Sequence, residues 1–96
     1  MLFVISAIDK PGNRNLRMAT RQAHFAYVEK TGQVRLGGPY LDGGGNMIGS
    51  LIILEAETLG AAEAWAAADP YARAGLFETT SVTPWKATVN ACGADL

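Results

Sequence analysis

The amino-acid sequence predicts an α+β domain of ferredoxin-like type. Its elements run β-α-β-β-α-β, giving a four-stranded antiparallel sheet with two helices on one face. Three observations carry this. Apolar runs rich in Val, Ile and Leu at 2–8 and 49–56 are bounded by turn residues, as strands are. Two longer stretches repeat apolar and small residues at helical spacing. A length of 96 residues suits one domain around one modest core.

The elements follow in order. The first strand spans 2–8 and stops at Asp9-Lys10-Pro11-Gly12. Asn13 stands where a cap is wanted for a helix over 14–30, with Thr31-Gly32 as its stop. Leu16, Ala19, Ala23, Ala26 and Tyr27 recur along that helix. Residues 33–41 read as a second strand interrupted at Gly37-Gly38-Pro39, and 42–46 as a loop with three consecutive glycines. The third strand, 49–56, is built around Leu51-Ile52-Ile53-Leu54. Thr58 opens a second helix over 59–68, whose Leu59, Ala62, Trp65 and Ala66 form one stripe. Asp69-Pro70 breaks it, because the residue before a proline is pushed out of the α region. Residues 70–74 then allow one further turn ending at Gly75. The fourth strand covers 77–86. The boundary is drawn at 90, giving a domain over 1–90 and a loose tail over 91–96.

Composition excludes several function classes. Eight Lys and Arg against nine Asp and Glu leave a formal charge of −1, without the basic footprint that nucleic-acid binding needs. One His and one Cys cannot supply the four ligands of a structural zinc site, and a single Cys forms no internal disulfide. Neither a metal nor a cofactor is expected. The apolar first strand is far shorter than the ~20 residues of a membrane span and has no basic region before it. The expectation is a cytoplasmic protein with no membrane partner.

Strands one and three are apolar at odd and even positions alike: Leu2, Phe3, Val4 and Ile5, then Leu51, Ile52, Ile53 and Leu54. A sheet with one wet face should alternate. Two helices cover one face, so the other is expected to meet a second copy, sheet to sheet, in a two-fold homodimer. The alternative is a pair of central strands with tolerated exposure.

The one histidine draws attention because its unperturbed pKa lies nearest neutrality. Arg17, Arg21, His24 and Val28 share one face of the first helix, a cationic setting suited to an anionic substrate. The same pattern is also that of an ordinary solvated face. Asp69 before Pro70 reads first as a helix cap, and its second oxygen could orient His24 through one ring nitrogen. Six of the eleven glycines fall between Gly37 and Gly49, with no Gly-Lys-Ser/Thr after them, so this is no P-loop. It is either a mobile connection or a lip over a cleft, where Gly38-Pro39 and Gly49-Ser50 let backbone approach a ligand. Tyr27, Tyr40 and Tyr71 could turn a polar tip to a pocket, whereas Phe3, Trp65, Phe77 and Trp85 read as core or interface. Cys92 has no base near it in sequence.

Taken together, these residues resemble the YCII-related (YciI-like) family. The carriers are the first strand ending Ala7-Ile8-Asp9-Lys10 and the helix run from Arg17-Met18-Ala19-Thr20 to Arg21-Gln22-Ala23-His24. Gly38-Pro39, Gly49-Ser50, Ala61 to Trp65, Ala68-Asp69-Pro70-Tyr71, Phe77-Glu78 and Val82-Thr83-Pro84-Trp85 complete them. The resemblance implies a dimeric α+β barrel with an active site on a histidine and an aspartate, here His24 and Asp69. It matches Arg17 to the family's helix arginine and Ser50 to its Gly-Ser pair. The segment 42–47 departs from the family in being shorter and richer in glycine than in longer members.

The expected function is that of a small cofactor-free enzyme on a small anionic, aromatic or lactone-like substrate. The chemistry would be lyase-, isomerase- or dehydrochlorinase-like. His24 would be the base or acid and Asp69 would fix its tautomer. Arg17 would bind an anionic oxygen, with Ser50, Tyr71, Gly38 and Pro39 lining the cleft. The alternative is a non-enzymatic ligand-binding or interaction module of the same fold.

Overall fold

A computed structural model describes all 96 residues, Met1 to Leu96. The elements are β1 (Leu2–Asp9), α1 (Arg14–Thr31), β2 (Val34–Leu41), β3 (Met47–Glu55), α2 (Leu59–Ala68), α3 (Pro70–Arg73) and β4 (Phe77–Trp85). The strands form one antiparallel sheet in the order β2-β3-β1-β4. This is the ferredoxin-like α+β arrangement that the sequence predicts.

Successive side chains of a strand point to opposite faces, and β1 divides its residues accordingly. Phe3, Ile5 and Ala7 are buried on the helix side. There Phe3 and Ile5 meet Ile52 and Leu54 of β3, and Ala62, Trp65 and Ala66 of α2, in the main core. Tyr27 and Val28 of α1 pack against the same cluster. The Tyr27 hydroxyl donates to the Trp65 carbonyl at 2.9 Å, and the Trp65 indole donates to Thr31 Oγ1 at 2.9 Å. These two bonds tie α1 to α2 above the sheet.

The helix ends show which expected signals operate. Thr58 Oγ1 accepts from the Ala61 amide at 3.1 Å and starts α2 as expected. Gly32 closes α1 at φ 64°, a left-handed value that suits glycine. Asn13 behaves differently. Its side chain turns back to donate to the Lys10 and Pro11 carbonyls, so it closes the preceding turn and leaves the α1 amides without a side-chain cap. Leu59 falls outside the buried stripe of α2, which consists of Ala62, Trp65 and Ala66.

The largest departure concerns the second strand. It is not interrupted at Gly37-Gly38-Pro39 but runs through them as β2. The reason is position: β2 lies at the sheet edge, where a proline need not give up a ladder bond. The irregularities sit instead between Val34 and Leu36 and between Tyr40 and Leu41. β3 also starts earlier than expected, at Met47. Gly49 is required within it, since a Cβ there would collide with the Ala7 carbonyl oxygen and approach Tyr40 Cδ2 to 2.9 Å.

The sheet face away from the helices has no helix over it, and of its apolar side chains Ile53 alone is buried. Ile8, Leu36 and Trp85 are 43%, 49% and 42% exposed, and the strand register places them on that side with Leu51. Trp85, read from sequence as core or interface, is therefore not in the core. No helix is long and apolar enough to cross a membrane.

Candidate functional site

One face of α1 lies beside the edge of the sheet, and the gap between them is a cavity of about 140 Å³. Arg17, Arg21, His24 and Val28 line it from the helix, as their spacing predicts. Gly37, Gly38 and Pro39 of β2 and Ser50 of β3 form the opposite wall, and Tyr71 of α3 closes one end.

His24 and Asp69 meet at this end. The His24 Nδ1 atom lies 2.9 and 3.0 Å from the two Asp69 carboxylate oxygens, and both residues are buried. A carboxylate only accepts, so Nδ1 donates, and Nε2 has no protein partner at the cavity wall. Asp69 Oδ1 also accepts from the Tyr71 amide at 2.9 Å, which caps α3. One carboxylate thus starts the short helix and orients the imidazole. Asp69 itself stands behind His24 and does not line the cavity.

Tyr71 stacks on the imidazole with ring centroids 4.3 Å apart and planes 21° apart. The Arg17 guanidinium lies 4.6 Å from the centroid of the same Tyr71 ring. Burial holds the Tyr71 hydroxyl above the usual phenol range; the Asp69 charge adds to this, and Arg17 and Arg21 oppose it. The hydroxyl therefore stays protonated at neutral pH.

Arg17 is the most constrained cation of the site. Its Nε donates to Asp9 Oδ2 at 2.7 Å, and one terminal nitrogen donates to Asp9 Oδ1 at 2.9 Å and to Ser50 Oγ at 2.8 Å. Burial alone would lower its pKa, but the hydrogen bonds and charge of Asp9 outweigh that and the net shift is upward. Arg21 is exposed and sits with its guanidinium 5.2 Å from the Phe25 ring centroid.

The structure therefore gathers His24, Asp69, Arg17, Ser50, Tyr71, Gly38 and Pro39 around one cavity. Sequence reasoning missed Asp9, taken only as part of a turn, and gave no role to Phe25 or Met47, which line the cavity. No periodic signal links a strand end to a helix start, so Asp9 had none. Tyr40 is not at the cavity: its hydroxyl bonds Ser6 Oγ at 2.8 Å on the bare sheet face. The Tyr27 hydroxyl is taken up by α2. No group of three His, Cys, Asp or Glu side chains is placed to hold a metal ion.

Residues 1–86 match the YCII-related domain. The chain belongs to the YCII-related family. Among its relatives is protein YciI of Escherichia coli O6:H1, 41% identical over 95 residues, covering 90% of this chain and 97% of that protein. An uncharacterized protein of Haemophilus influenzae is 34% identical over 98 residues, with the same coverage of 90% and 97%. A solved structure of this type is the 5-chloro-2-hydroxyhydroquinone dehydrochlorinase of Burkholderia phenoliruptrix, in complex with 2,5-dihydroxybenzoquinone. It is 38% identical, with a TM-score of 0.84 over 90% of this chain and 94% of that one. An antibiotic biosynthesis monooxygenase, 18% identical with a TM-score of 0.53 over 93% of this chain and 100% of that one, shares the fold alone. The YCII-related fold is thus the same ferredoxin-like α+β arrangement as that of the dehydrochlorinase.

Proposed function

We propose that this chain is a small cofactor-free enzyme performing acid–base chemistry on a single-ring organic anion, of lyase, isomerase or dehydrochlorinase type. The observation that carries the reading is His24, whose Nδ1 is held by Asp69 while Nε2 is left for the cavity. The cavity of about 140 Å³ is matched to one six-membered ring, since an apolar cavity of about 150 Å³ accommodates benzene. The similarity to a dehydrochlorinase crystallised with 2,5-dihydroxybenzoquinone supports the same substrate size.

In this reading His24 Nε2 takes a proton from an acidic O–H or C–H of the ring. The electron pair left behind moves into the ring and either settles on a ring oxygen or expels a halide, so that HX leaves in parts. Asp69 holds the imidazole in its base tautomer. The Arg17 guanidinium and the Tyr71 hydroxyl donate to the developing oxyanion, and Ser50, Gly38 and Pro39 shape the opposite wall. General-base catalysis alone contributes about 10²–10⁴-fold, so the reaction is one that an activated ring undergoes readily.

The working unit in this proposal is a homodimer joined through the bare sheet face, which presents Ile8, Leu36, Leu51 and Trp85 to solvent in a single chain. Equilibrium sedimentation should give twice the chain mass, and a clean species at 10.1 kDa overturns the dimer. The proposed location is the cytoplasm, where an exposed, unpaired thiol such as Cys92 stays reduced.

The function is tested with 2,5-dihydroxybenzoquinone as ligand and chlorinated hydroxyquinols as substrates, on the wild type and His24→Ala. The wild type should be stabilised by the ligand and should release halide. His24→Ala should still bind and fail to turn over. Binding without turnover in the wild type favours a ligand-binding module, and neither binding nor turnover overturns the reading.

A further inference from the structure

The cavity wall carries two guanidinium groups, and they are not equivalent. Arg17 is neutralised in place: Asp9 grips it through two hydrogen bonds, and both side chains are almost wholly withdrawn from water. The pair presents hydrogen-bond donors to the cavity but no net charge. The next charge behind the wall is the Asp69 carboxylate, bonded to His24. With these groups alone, the wall offers an entering anion no unpaired positive side chain.

Arg21 changes that balance. It is the second cation lining the cavity, and it takes part in no ion pair of the structure. It precedes His24 by one helical turn on the same face of α1. Its guanidinium is seated 5.2 Å from the Phe25 ring centroid, which steadies a long side chain at the rim. Phe25 is 52% exposed, lines the cavity, and lies with its ring centroid 5.7 Å from that of His24. A half-exposed aromatic ring costs solvation without contributing to the core, and here it extends the imidazole surface to the cavity mouth. Val28, Val34, Met47 and Ile52 make the remaining wall apolar.

We infer that Arg21, seated on Phe25, is the anion-recognition and specificity-determining residue of the cavity. It selects planar ring substrates bearing an ionised oxygen at the rim and discriminates against neutral rings of the same size. The apolar walls and the Phe25 face disfavour inorganic anions, which cannot use them. The inference rests on the proposed acid–base reading and divides the labour within it: Arg17 supplies directional hydrogen bonds, and Arg21 supplies the net charge.

The test is calorimetric titration of the full chain with two rings of one size. One is 2,5-dihydroxybenzoquinone, which is ionised at neutral pH, and the other is hydroquinone, which is not. Arg21→Gln should weaken binding of the anionic ring by about 10- to 100-fold, the range of a hydrogen bond to a charged group. It should also flatten the salt dependence of that binding and leave hydroquinone affinity unchanged. Arg21→Lys should keep the salt dependence and part of the affinity, because charge survives where the planar fork does not. Arg21 is exposed, so the thermal midpoint of Arg21→Gln without ligand should match that of the wild type. If Arg21→Gln binds the anionic ring as tightly as the wild type, or loses both rings equally, the assignment to Arg21 is overturned and the site reading stands. If the wild type takes up neither ring, both are overturned.

Discussion

Arg17 and Asp9 form a two-pronged ion pair, at 2.7 and 2.9 Å, that joins the first helix to the end of the first strand beneath the cavity. The pair fixes the height of α1 above the sheet and brings Ser50 into line through a third bond from the same guanidinium. Two buried charges that satisfy one another contribute little net stability, but removing one partner leaves the other uncompensated. Asp9→Ala should therefore destabilise the protein by about 3–5 kcal/mol in denaturant unfolding. Replacing both residues with apolar side chains of similar volume should recover most of that loss. Equal destabilisation by the single and the double change would show that Asp9 acts through packing instead.

Asp69 carries two duties, and one substitution separates them. Asparagine is as good a helix cap as aspartate, so Asp69→Asn should leave the bond to the Tyr71 amide and the thermal midpoint nearly unchanged. Its amide group can donate to His24 Nδ1, which would move the imidazole proton to Nε2 and remove the base. Turnover should fall by about 10²–10⁴-fold with ligand binding preserved. Adding His24→Ala to Asp69→Asn should cost little more, because the two residues act as one unit. Steady-state kinetics beside ligand titration checks this, and full activity in Asp69→Asn would remove the pair from the mechanism.

Part of this site is legible in the sequence because helical geometry is periodic. Spacing alone places Arg17, Arg21, His24 and Val28 on one face, and all four line the cavity. Asp69 is legible as a cap because Asp before Pro at a helix start has a local cause. That the same carboxylate reaches an imidazole 45 residues away has no local cause: the residues offer the pairing only beside the cap reading, and the family resemblance implies it. The Arg17–Asp9 pair is missed for a similar reason: it depends on where a strand ends relative to a helix. Gly37-Gly38-Pro39 misleads as a break because sequence does not reveal that β2 lies at the sheet edge, where such residues are tolerated. The bulge near Gly49 is likewise a consequence of pairing, not of composition.

Tyr71 offers a pH test of the same enclosure. Its hydroxyl is held above the ordinary phenol range, first by burial and then by the charge of Asp69. The sign follows directly. In the unfolded chain the phenol ionises near pH 10, while in the folded chain it resists until a higher pH, so the unfolded state loses its proton first. The folded state is therefore fully favoured below pH 10 and loses stability as pH rises from there through the folded pKa. Tyr71→Phe should remove this contribution, flattening the alkaline fall in stability above about pH 10, with the part due to Tyr27 remaining because that hydroxyl is also raised by burial. Phenolate absorbance during an alkaline titration checks it independently: the variant should lack one late-ionising tyrosine. A wild-type curve in which every tyrosine ionises together at the ordinary value would mean that Tyr71 is open to water, and the cavity would lose its closed end against His24.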